Sequence, residues 1–163
     1  MSGAVEIREE PSDGPSARAL FAQYMALVEA RLGEPYHGRE DIFATPEAFA
    51  TAGACWLVVY DGGEPVGCGG LRRIDARTGE VKRMFVSAGA RGRGHGRRLL
   101  EELERRAAAA GYGRVLLLTT EVLAEARGLY AAAGYRVVEE RAEGARRDFW
   151  MEKELMGAGS WTA

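Results

Sequence analysis

A segment rich in glycine and arginine, Arg91 to Arg98, contains the residues whose types and spacing are most suited to chemistry in this chain. It lies between a strand-like run and the start of a helical pattern. Glycine lets the backbone adopt positive φ and approach a ligand closely. The first amides of a helix have no acceptor inside the helix, and with the helix dipole they form a site for an anion. Because arginines add positive charge, the segment predicts a site for phosphate, in particular a pyrophosphate.

Three phosphate-binding motifs can be compared with this segment. A Walker A loop requires Lys and then Ser or Thr after its last glycine, where this chain has Arg97 and Arg98. The dinucleotide fingerprint G-x-G-x-x-G requires glycine at position 97. The pattern [Gln/Arg]-x-x-Gly-x-Gly is met in full by Arg91, Gly94 and Gly96. The third motif therefore fits the segment.

The elements around this segment are predicted from periodicity and from turn residues. In the second half of the chain, strands and helices alternate, and the continuously apolar strand 115–119 is of the type buried on both faces. We predict strands at 80–86, 115–119, 135–138 and 149–152, helices at 94–110 and 124–133, and a turn-rich, solvated loop at 141–147.

The first half of the chain has the pattern of a strand, two helices and an antiparallel meander. Gly33 is expected to end the first of these helices. We predict strands at 5–8, 56–60 and 65–71, a helix at 16–32, and a short helix from Thr45-Pro46 to about residue 52. Nothing divides the mixed α/β pattern, which predicts a single domain over 1–155 and a tail over 156–163.

Residues 80–138 resemble the GNAT superfamily of acyl-CoA-dependent N-acetyltransferases. Besides the loop, Leu129-Tyr130 and Gly134-Tyr135 are similar to the family's Leu-Tyr-x-x-x-Gly-[Phe/Tyr] signature. The resemblance implies an α/β (α+β) fold, a mixed, mostly antiparallel sheet of six or seven strands flanked by helices. It also implies an enzyme that moves an acetyl group from acetyl-CoA to a primary amine. We expect a small-molecule acceptor, because nothing in the chain suggests a module that docks a protein.

The resemblance further implies roles for residues at the cofactor site. Main-chain groups of Met84, Phe85 and Val86 would bind the pantetheine arm in the manner of an added strand. The thioester would lie between strands 80–86 and 115–119. The pyrophosphate would be held in the loop by Arg91, Gly92, Arg93, Gly94, Gly96 and Arg97.

Two residues are implied as catalytic. Glu80 precedes Arg91 by eleven residues, the offset at which the family's histone acetyltransferases carry a basic glutamate; the alternative is a base that acts through water. Tyr130 is at the family's position for protonating the departing thiolate. On strand alternation, Glu80, Lys82, Met84 and Val86 are expected to share one face. One departure is Leu123, where many relatives carry an asparagine that contacts the cofactor.

Composition excludes several other classes. The net charge is −2, from 22 Lys+Arg against 24 Asp+Glu, which argues against a protein that coats nucleic acid or an anionic membrane. No apolar run approaches the roughly 20 residues of a membrane span, and the N-terminus has no hydrophobic signal core, so we expect a cytoplasmic protein. Cys55 and Cys68 are expected to be buried thiols rather than a disulfide. The two histidines, His37 and His95, predict no zinc site, and no metal is expected.

Arginine outnumbers lysine by twenty to two and asparagine is absent, which suggests a GC-rich bacterial gene. We assign no role to His95. His37 is expected in an exposed loop, near Glu40 and Asp41, which could bind a cationic amine. The alternatives are a non-catalytic acyl-CoA-binding or sensory protein, a protein N-acetyltransferase, and a nucleic-acid-binding protein that uses the Arg/Gly segment. A homodimer through the last strands is common among relatives and stays open here.

Overall fold

The computed structural model of the protein describes residues 3–35, 46–144 and 146–155. The strands are β1 (Val5–Glu9), β2 (Cys55–Asp61), β3 (Glu64–Asp75), β4 (Thr78–Val86), β5 (Arg114–Thr120), β6 (Arg136–Glu143) and β7 (Arg146–Glu154). The α-helices are α1 (Pro15–Leu32), α2 (His95–Ala109) and α3 (Ala124–Ala132), and three short 3₁₀ helices are Pro46–Phe49, Ala88–Ala90 and Glu121–Leu123. Within the described ranges, no helix combines the length and the apolar character needed to cross a membrane.

The strands form one seven-stranded sheet in the order β1-β2-β3-β4-β5-β7-β6. Neighbouring strands are antiparallel except β4 and β5, which are parallel and are connected through α2. A helical crossover is the usual way to join parallel neighbours. The predicted fold, a mixed and mostly antiparallel sheet flanked by helices, is confirmed.

Strand β2 is buried on both faces and shows how the sheet divides the core. Cys55, Leu57 and Val59 belong to the apolar cluster that α2 covers, whereas Trp56 and Val58 belong to the cluster that α1 covers. Successive side chains of a strand point to opposite faces, so the unbroken apolar run serves both clusters. The sheet therefore lies between α1 on one face and α2 with α3 on the other.

Strand β5 does not follow the prediction that it is buried on both faces. Val115, Leu117 and Thr119 are buried, but Leu116 and Leu118 are only half-buried. Helix α1 packs mainly against β3 and β4 on that side of the sheet. The second face of β5 is therefore only partly covered, next to the functional site described below.

The segment 141–147, predicted to be a solvated loop, is instead part of a long hairpin. Strand β6 continues to Glu143, and β7 begins at Arg146. Every residue of β6 is exposed, so the strand lacks the apolar alternation that reveals a strand in a sequence. Ion pairs cross the hairpin, among them Arg147 Nη1 to Glu140 Oε1 at 3.2 Å.

The helix predicted from 45 to about 52 is a single 3₁₀ turn, Pro46–Phe49. The Ala50 amide donates to the Glu47 carbonyl at 3.1 Å, and the Phe49 ring packs edge-on against Trp56 with centroids 5.1 Å apart. Burial of this ring, rather than helix propagation, determines the local conformation.

Gly33 ends α1 as predicted, with φ 74° and its N–H donating to the Glu29 carbonyl. Several predictions fall on residues outside the described ranges. These are the predicted cap Thr45, the acceptor-side candidates His37, Glu40 and Asp41, and the tail 156–163.

Candidate functional site

The loop between β4 and α2 changes direction at Gly92 and Gly94. Their φ angles are +78° and +81°, and a Cβ built at either position would meet no atom within 4 Å. Gly94 is the N-cap of α2, and no side chain caps the helix. The first amides of α2 therefore have no acceptor within the helix, beside open space. This backbone has the form that an anion site requires.

Gly96 allows α2 to pass close to its neighbours. A Cβ there would lie 3.2 Å from Leu129 Cδ2 and 3.7 Å from Val86 Cγ2. The missing side chain brings the first turn of α2 against α3 and the end of β4. The loop amides and the end of β4 consequently border one space.

The Arg91 guanidinium links the end of β4 to α3. Its Nε donates to the Val86 carbonyl at 3.2 Å, and its Nη1 lies 3.4 Å from Glu125 Oε1. The same carboxylate oxygen accepts from Arg31 Nη2 of α1 at 2.5 Å. Arg91 is therefore both a cation beside the loop and part of its support.

Two other arginines of the loop differ in where they point. Arg93 Nη1 lies 3.4 Å from Asp61 Oδ2, at the end of β2. Arg97 is exposed and donates to Glu101 Oε1 at 3.1 Å, one turn along α2. Arg93 is thus directed away from the cavity described next.

A cavity of about 280 Å³ lies between the loop, the end of β4, α1 and α3. Eight of the nine predicted cofactor-binding residues line it; Arg93 does not. Its walls are largely apolar, and the loop amides lie at one edge. We refer to this space as the donor cavity. Its lining residues are Tyr24, Leu27, Met84, Phe85, Val86, Ala90, Arg91, Gly92, Gly94, His95, Gly96, Arg97, Leu123, Glu125, Ala126, Leu129 and Tyr130. Such a space suits an elongated ligand with an anionic group and a less polar arm.

Strand β4 contains a bulge at Arg83, where φ is +55° and the register with β3 shifts. Beyond the bulge, Met84 packs into the cluster that α2 covers. The prediction that Glu80, Lys82, Met84 and Val86 share one face is therefore wrong, because a bulge interrupts the alternation of a strand.

Strands β4 and β5 separate beyond their first residues. Their parallel pairing covers only Thr78–Val81 and Arg114–Leu117. Both strands continue past this point, so a gap opens between them. The predicted position of the thioester is in this gap.

A second cavity of about 70 Å³ adjoins the first, and Tyr24 and Leu123 line both. We refer to this second cavity as the acceptor-side cavity. Strands β4, β5 and β7 supply most of its polar groups. Two of these, Arg146 and Asp148, form an ion pair at 3.0 Å. Its remaining lining residues are Glu80, Val81, Lys82, Arg83, Leu118, Thr119, Thr120, Arg146 and Asp148.

Glu80 lines the acceptor-side cavity and not the donor cavity. Its side chain is 3% exposed, with Oε2 at 3.0 Å from Arg72 Nη2 and Oε1 at 3.1 Å from Lys82 Nζ. Each carboxylate oxygen is thus paired with a cation.

Tyr130 lines the donor cavity and is 6% exposed. Burial, with a smaller contribution from neighbouring Tyr24, raises the pKa of Tyr130 above its ordinary value. The phenol is therefore neutral at neutral pH and retains a proton to donate. This protonation state suits a general acid.

Sequence reasoning missed three polar residues of the donor cavity. Tyr24 belongs to the apolar stripe of α1, where a sequence pattern predicts a core residue. Glu125 is an ordinary acidic residue in the first turn of α3, and its pairing with two arginines has no local signal. His95, to which the sequence assigned no role, is only 2% exposed. Over residues 3–35, 46–144 and 146–155, no group of three or more His, Cys, Asp or Glu side chains is placed to hold a metal ion.

Comparison with known sequences gives a family match. The profile of the family described as "Acetyltransferase (GNAT) family" matches residues 19–135. A protein of Azospirillum brasilense named IAA acetyltransferase is 37% identical over 115 residues, which cover 69% of this chain and 74% of that protein.

Comparison with solved structures gives the same fold. A GNAT-family acetyltransferase from Staphylococcus aureus superposes with a TM-score of 0.75 at 18% identity, over 94% of this chain and 100% of that one. A GNAT-family acetyltransferase from Elizabethkingia anophelis, solved with acetyl-CoA bound, superposes with a TM-score of 0.67 at 18% identity, over 93% and 98% of the two chains.

Proposed function

The chain belongs to the acetyltransferase (GNAT) family, and from that premise we propose that it moves an acetyl group from acetyl-CoA to the primary amine of a small molecule. One observation carries the proposal: a single cavity joins the amides of the β4–α2 loop to the Tyr130 phenol. The amides are suited to bind a pyrophosphate, and the phenol is suited to protonate a leaving thiolate.

The donor site uses main-chain groups. The amides of Gly92, Gly94, Gly96 and Arg97 hold the pyrophosphate, and the open space at the first two glycines supports close approach. The pantetheine arm lies along Met84–Val86, where β4 has separated from β5 and its main chain borders the cavity. The acetyl-CoA bound to the Elizabethkingia protein, which shares this fold, supports the same donor here.

The reaction is attack of the amine nitrogen on the thioester carbonyl. A carbon–nitrogen bond forms, the carbon–sulfur bond breaks, and the amine loses a proton to a base. Tyr130 donates its phenolic proton to the departing thiolate. Its position in the donor cavity supports this role, and its burial keeps the phenol in the neutral form that carries the proton.

Glu80 is the proposed base, and its ion pairs bear on how it acts. Arg72 and Lys82 each occupy one of its oxygens, and Glu80 lines only the acceptor-side cavity. These contacts favour proton transfer through a water molecule over direct transfer from the amine.

The acceptor is proposed to be small because the acceptor-side cavity, at about 70 Å³, is narrow over the described residues. The name of the Azospirillum relative adds IAA to the acceptors that should be assayed. The bacterial relative and the arginine-rich composition support a bacterial enzyme, for which we propose a cytoplasmic location. The exposed Val137 and Val138 on edge strand β6 support a homodimer through the last strands.

The test is isothermal titration of acetyl-CoA into the wild type and two variants, Arg91→Ala and Gly94→Asp. We expect micromolar binding by the wild type and at least about tenfold weaker binding by each variant, because a carboxylate at Gly94 repels phosphate and Arg91 supports the loop. An acceptor library, assayed by thiol release, then identifies the amine.

Gly111→Asp is the matched control. Gly111 also has positive φ, +87°, with no atom within 4 Å of a built Cβ, and it lies beyond the other end of α2. The Gly111→Asp variant should bind acetyl-CoA with the affinity of the wild type. A folded wild type that does not bind acetyl-CoA would contradict the proposed function, and equal weakening by Gly111→Asp would contradict the assignment of the loop.

A further inference from the structure

His95 is buried, although it directly follows the exposed residues 92–94 of the loop. Its side chain is 1% exposed, and its Nε2 lies 3.0 Å from Oδ2 of Asp61, whose side chain is 8% exposed. Asp61 is the last residue of β2, and His95 is the first residue of α2. The pair therefore joins the β2–β3 hairpin to the first turn of α2.

Helix α2 has no capping group of its own. Its N-cap is Gly94, no side chain caps it, and its first turn contains no acidic residue. A helix start is commonly stabilised by a Ser, Thr, Asp or Asn cap and by an acid near its first amides. In this protein the acidic residue is Asp61 of β2. It contacts the helix through the imidazole of His95.

The contact between the two side chains fixes the orientation of the ring. A carboxylate taken out of water needs a hydrogen-bonding partner, and Asp61 has His95 together with Arg93, whose Nη1 is 3.4 Å away and largely exposed. The other ring nitrogen, Nδ1, is buried without a hydrogen-bond partner among the described residues. The bond from Nε2 to Asp61 is thus the polar contact that orients His95.

Because His95 also lines the donor cavity, its orientation bears on the amides next to it. A displaced His95 would shift the backbone of Gly96 and Arg97, the residues proposed to hold the pyrophosphate.

We propose that His95 and Asp61 form a positioning pair that holds the first turn of α2 in the orientation that binds the pyrophosphate of the acyl donor. The inference rests on the proposed function, since it concerns that donor site. Neither residue of the pair acts on the reacting atoms, unlike Tyr130. Loss of the pair should therefore weaken donor binding and leave the chemical step unchanged.

The experiment measures the Kd for coenzyme A by isothermal titration in the wild type and in His95→Leu, His95→Gln and Asp61→Asn. The amide nitrogen of Gln can reach the position of the imidazole Nε2 and donate to Asp61. We expect Kd to rise about tenfold or more in His95→Leu, to stay within about threefold in His95→Gln, and to rise at least about threefold in Asp61→Asn. The double variant His95→Leu/Asp61→Asn should bind no more weakly than His95→Leu alone, because the two residues act as a unit.

Glu104→Gln is the matched control. It removes a different ion pair of α2, Glu104 Oε2 to Lys153 Nζ at 2.8 Å, two turns from the loop. It should lower the melting temperature without changing Kd. Once an acceptor is known, KM for acetyl-CoA should rise in His95→Leu while kcat at saturating donor stays within about twofold.

The outcomes separate the two proposals. A wild type that does not bind coenzyme A overturns the donor site and this inference together. A wild type that binds, with folded His95→Leu and Asp61→Asn variants of unchanged Kd, overturns this inference alone. If His95→Leu does not fold, Asp61→Asn decides, because its shape is that of the native residue. A His95→Gln variant as weak as His95→Leu also overturns the inference, because the bond to Asp61 would then not be the cause.

Discussion

Two buried tyrosines show how position, rather than residue type, assigns a role at the scale of single residues. Tyr130 and Tyr135 pack edge-on with ring centroids 6.0 Å apart, and burial raises the pKa of both. Tyr130 lines the donor cavity, whereas the Tyr135 hydroxyl is buried without a hydrogen-bond partner in the described part of the chain. Of these two tyrosines, Tyr130 is therefore the one that borders the space proposed for the donor.

Tyr130→Phe should lower kcat about 100-fold, a typical contribution of a general acid, and leave the Kd for acetyl-CoA within about twofold. The reason is that the phenol is proposed to act on the departing thiolate and not on the bound donor. Steady-state kinetics and titration of the same preparation measure the two effects. Tyr135→Phe is the matched control and should keep the wild-type kcat. An active Tyr130→Phe enzyme would remove the general acid from the mechanism.

At the scale of elements, the interior strands β2 and β3 bury their side chains deeply enough to change their chemistry. Burial raises the pKa of Cys55 in β2 to about 11 and that of Cys68 in β3 to about 12. Both thiols are buried and free, as the sequence predicted. Neither is a reactive nucleophile in the folded protein, because the thiolate is the reactive species.

We therefore expect the free energy of unfolding to fall as pH rises above about 8.5, the ordinary pKa of a thiol. Above that pH the unfolded chain loses thiol protons that the folded protein keeps, so the unfolded state is favoured. Urea unfolding at pH 7, 8, 9 and 10 should show a decrease of about 1 kcal/mol or more by pH 10. The range ends there because the tyrosines of the unfolded chain then begin to ionise, whereas burial raises the pKa of Tyr112, Tyr130 and Tyr135 in the folded protein.

A Cys68→Ala variant should show a smaller decrease over the same pH range, although it is less stable at pH 7. Native protein at pH 8 should also resist alkylation by iodoacetamide, and the unfolded protein should react at both positions. Rapid alkylation of the native protein would contradict the burial of these thiols.

At the scale of the whole molecule, the donor cavity exists only because remote parts of the chain meet. Helix α1 contributes Tyr24 and Leu27 from one side of the sheet, and α3 contributes Tyr130 from the other. Glu125 accepts from Arg31 and lies near Arg91, so it connects α1, α3 and the loop. A ligand in this cavity contacts both layers of the molecule at once.

Acetyl-CoA should therefore stabilise the whole fold against heat. At a concentration of 100 Kd, mass action contributes about 2.7 kcal/mol, which corresponds to a rise in Tm of about 5 to 10 °C for a chain of this size. Scanning calorimetry with and without acetyl-CoA measures the shift. Gly94→Asp, which should bind at least about tenfold more weakly, should show a smaller rise in Tm and provides the comparison. A wild-type Tm that does not move with acetyl-CoA would exclude tight donor binding.

Much of the architecture is readable from local pattern. The strand before the loop, helix α2, strand β5 and helix α3 follow from apolar spacing and from glycines at their ends, because a regular element repeats its environment every two or every 3.6 residues. The glycines of 91–98 and the signature around Tyr130 predicted the family, which the family match confirms, and the residues that we propose for the donor site. Strand β6 was longer than expected because all of its side chains are exposed, which leaves no period to detect.

The sequence by itself determined the order of the elements, the family and the loop that would bind a phosphate. Only the tertiary structure decided which residues act on one another. It pairs Glu80 with Arg72 and Lys82, interrupts β4 at Arg83, directs Arg93 out of the cavity and joins His95 to Asp61. Apart from Glu80 and Lys82, which are two residues apart on one strand, the paired residues come from different elements, and no local pattern relates them. A local pattern records whether a side chain is buried, but the identity of the group that it meets is set by the packing of the whole chain.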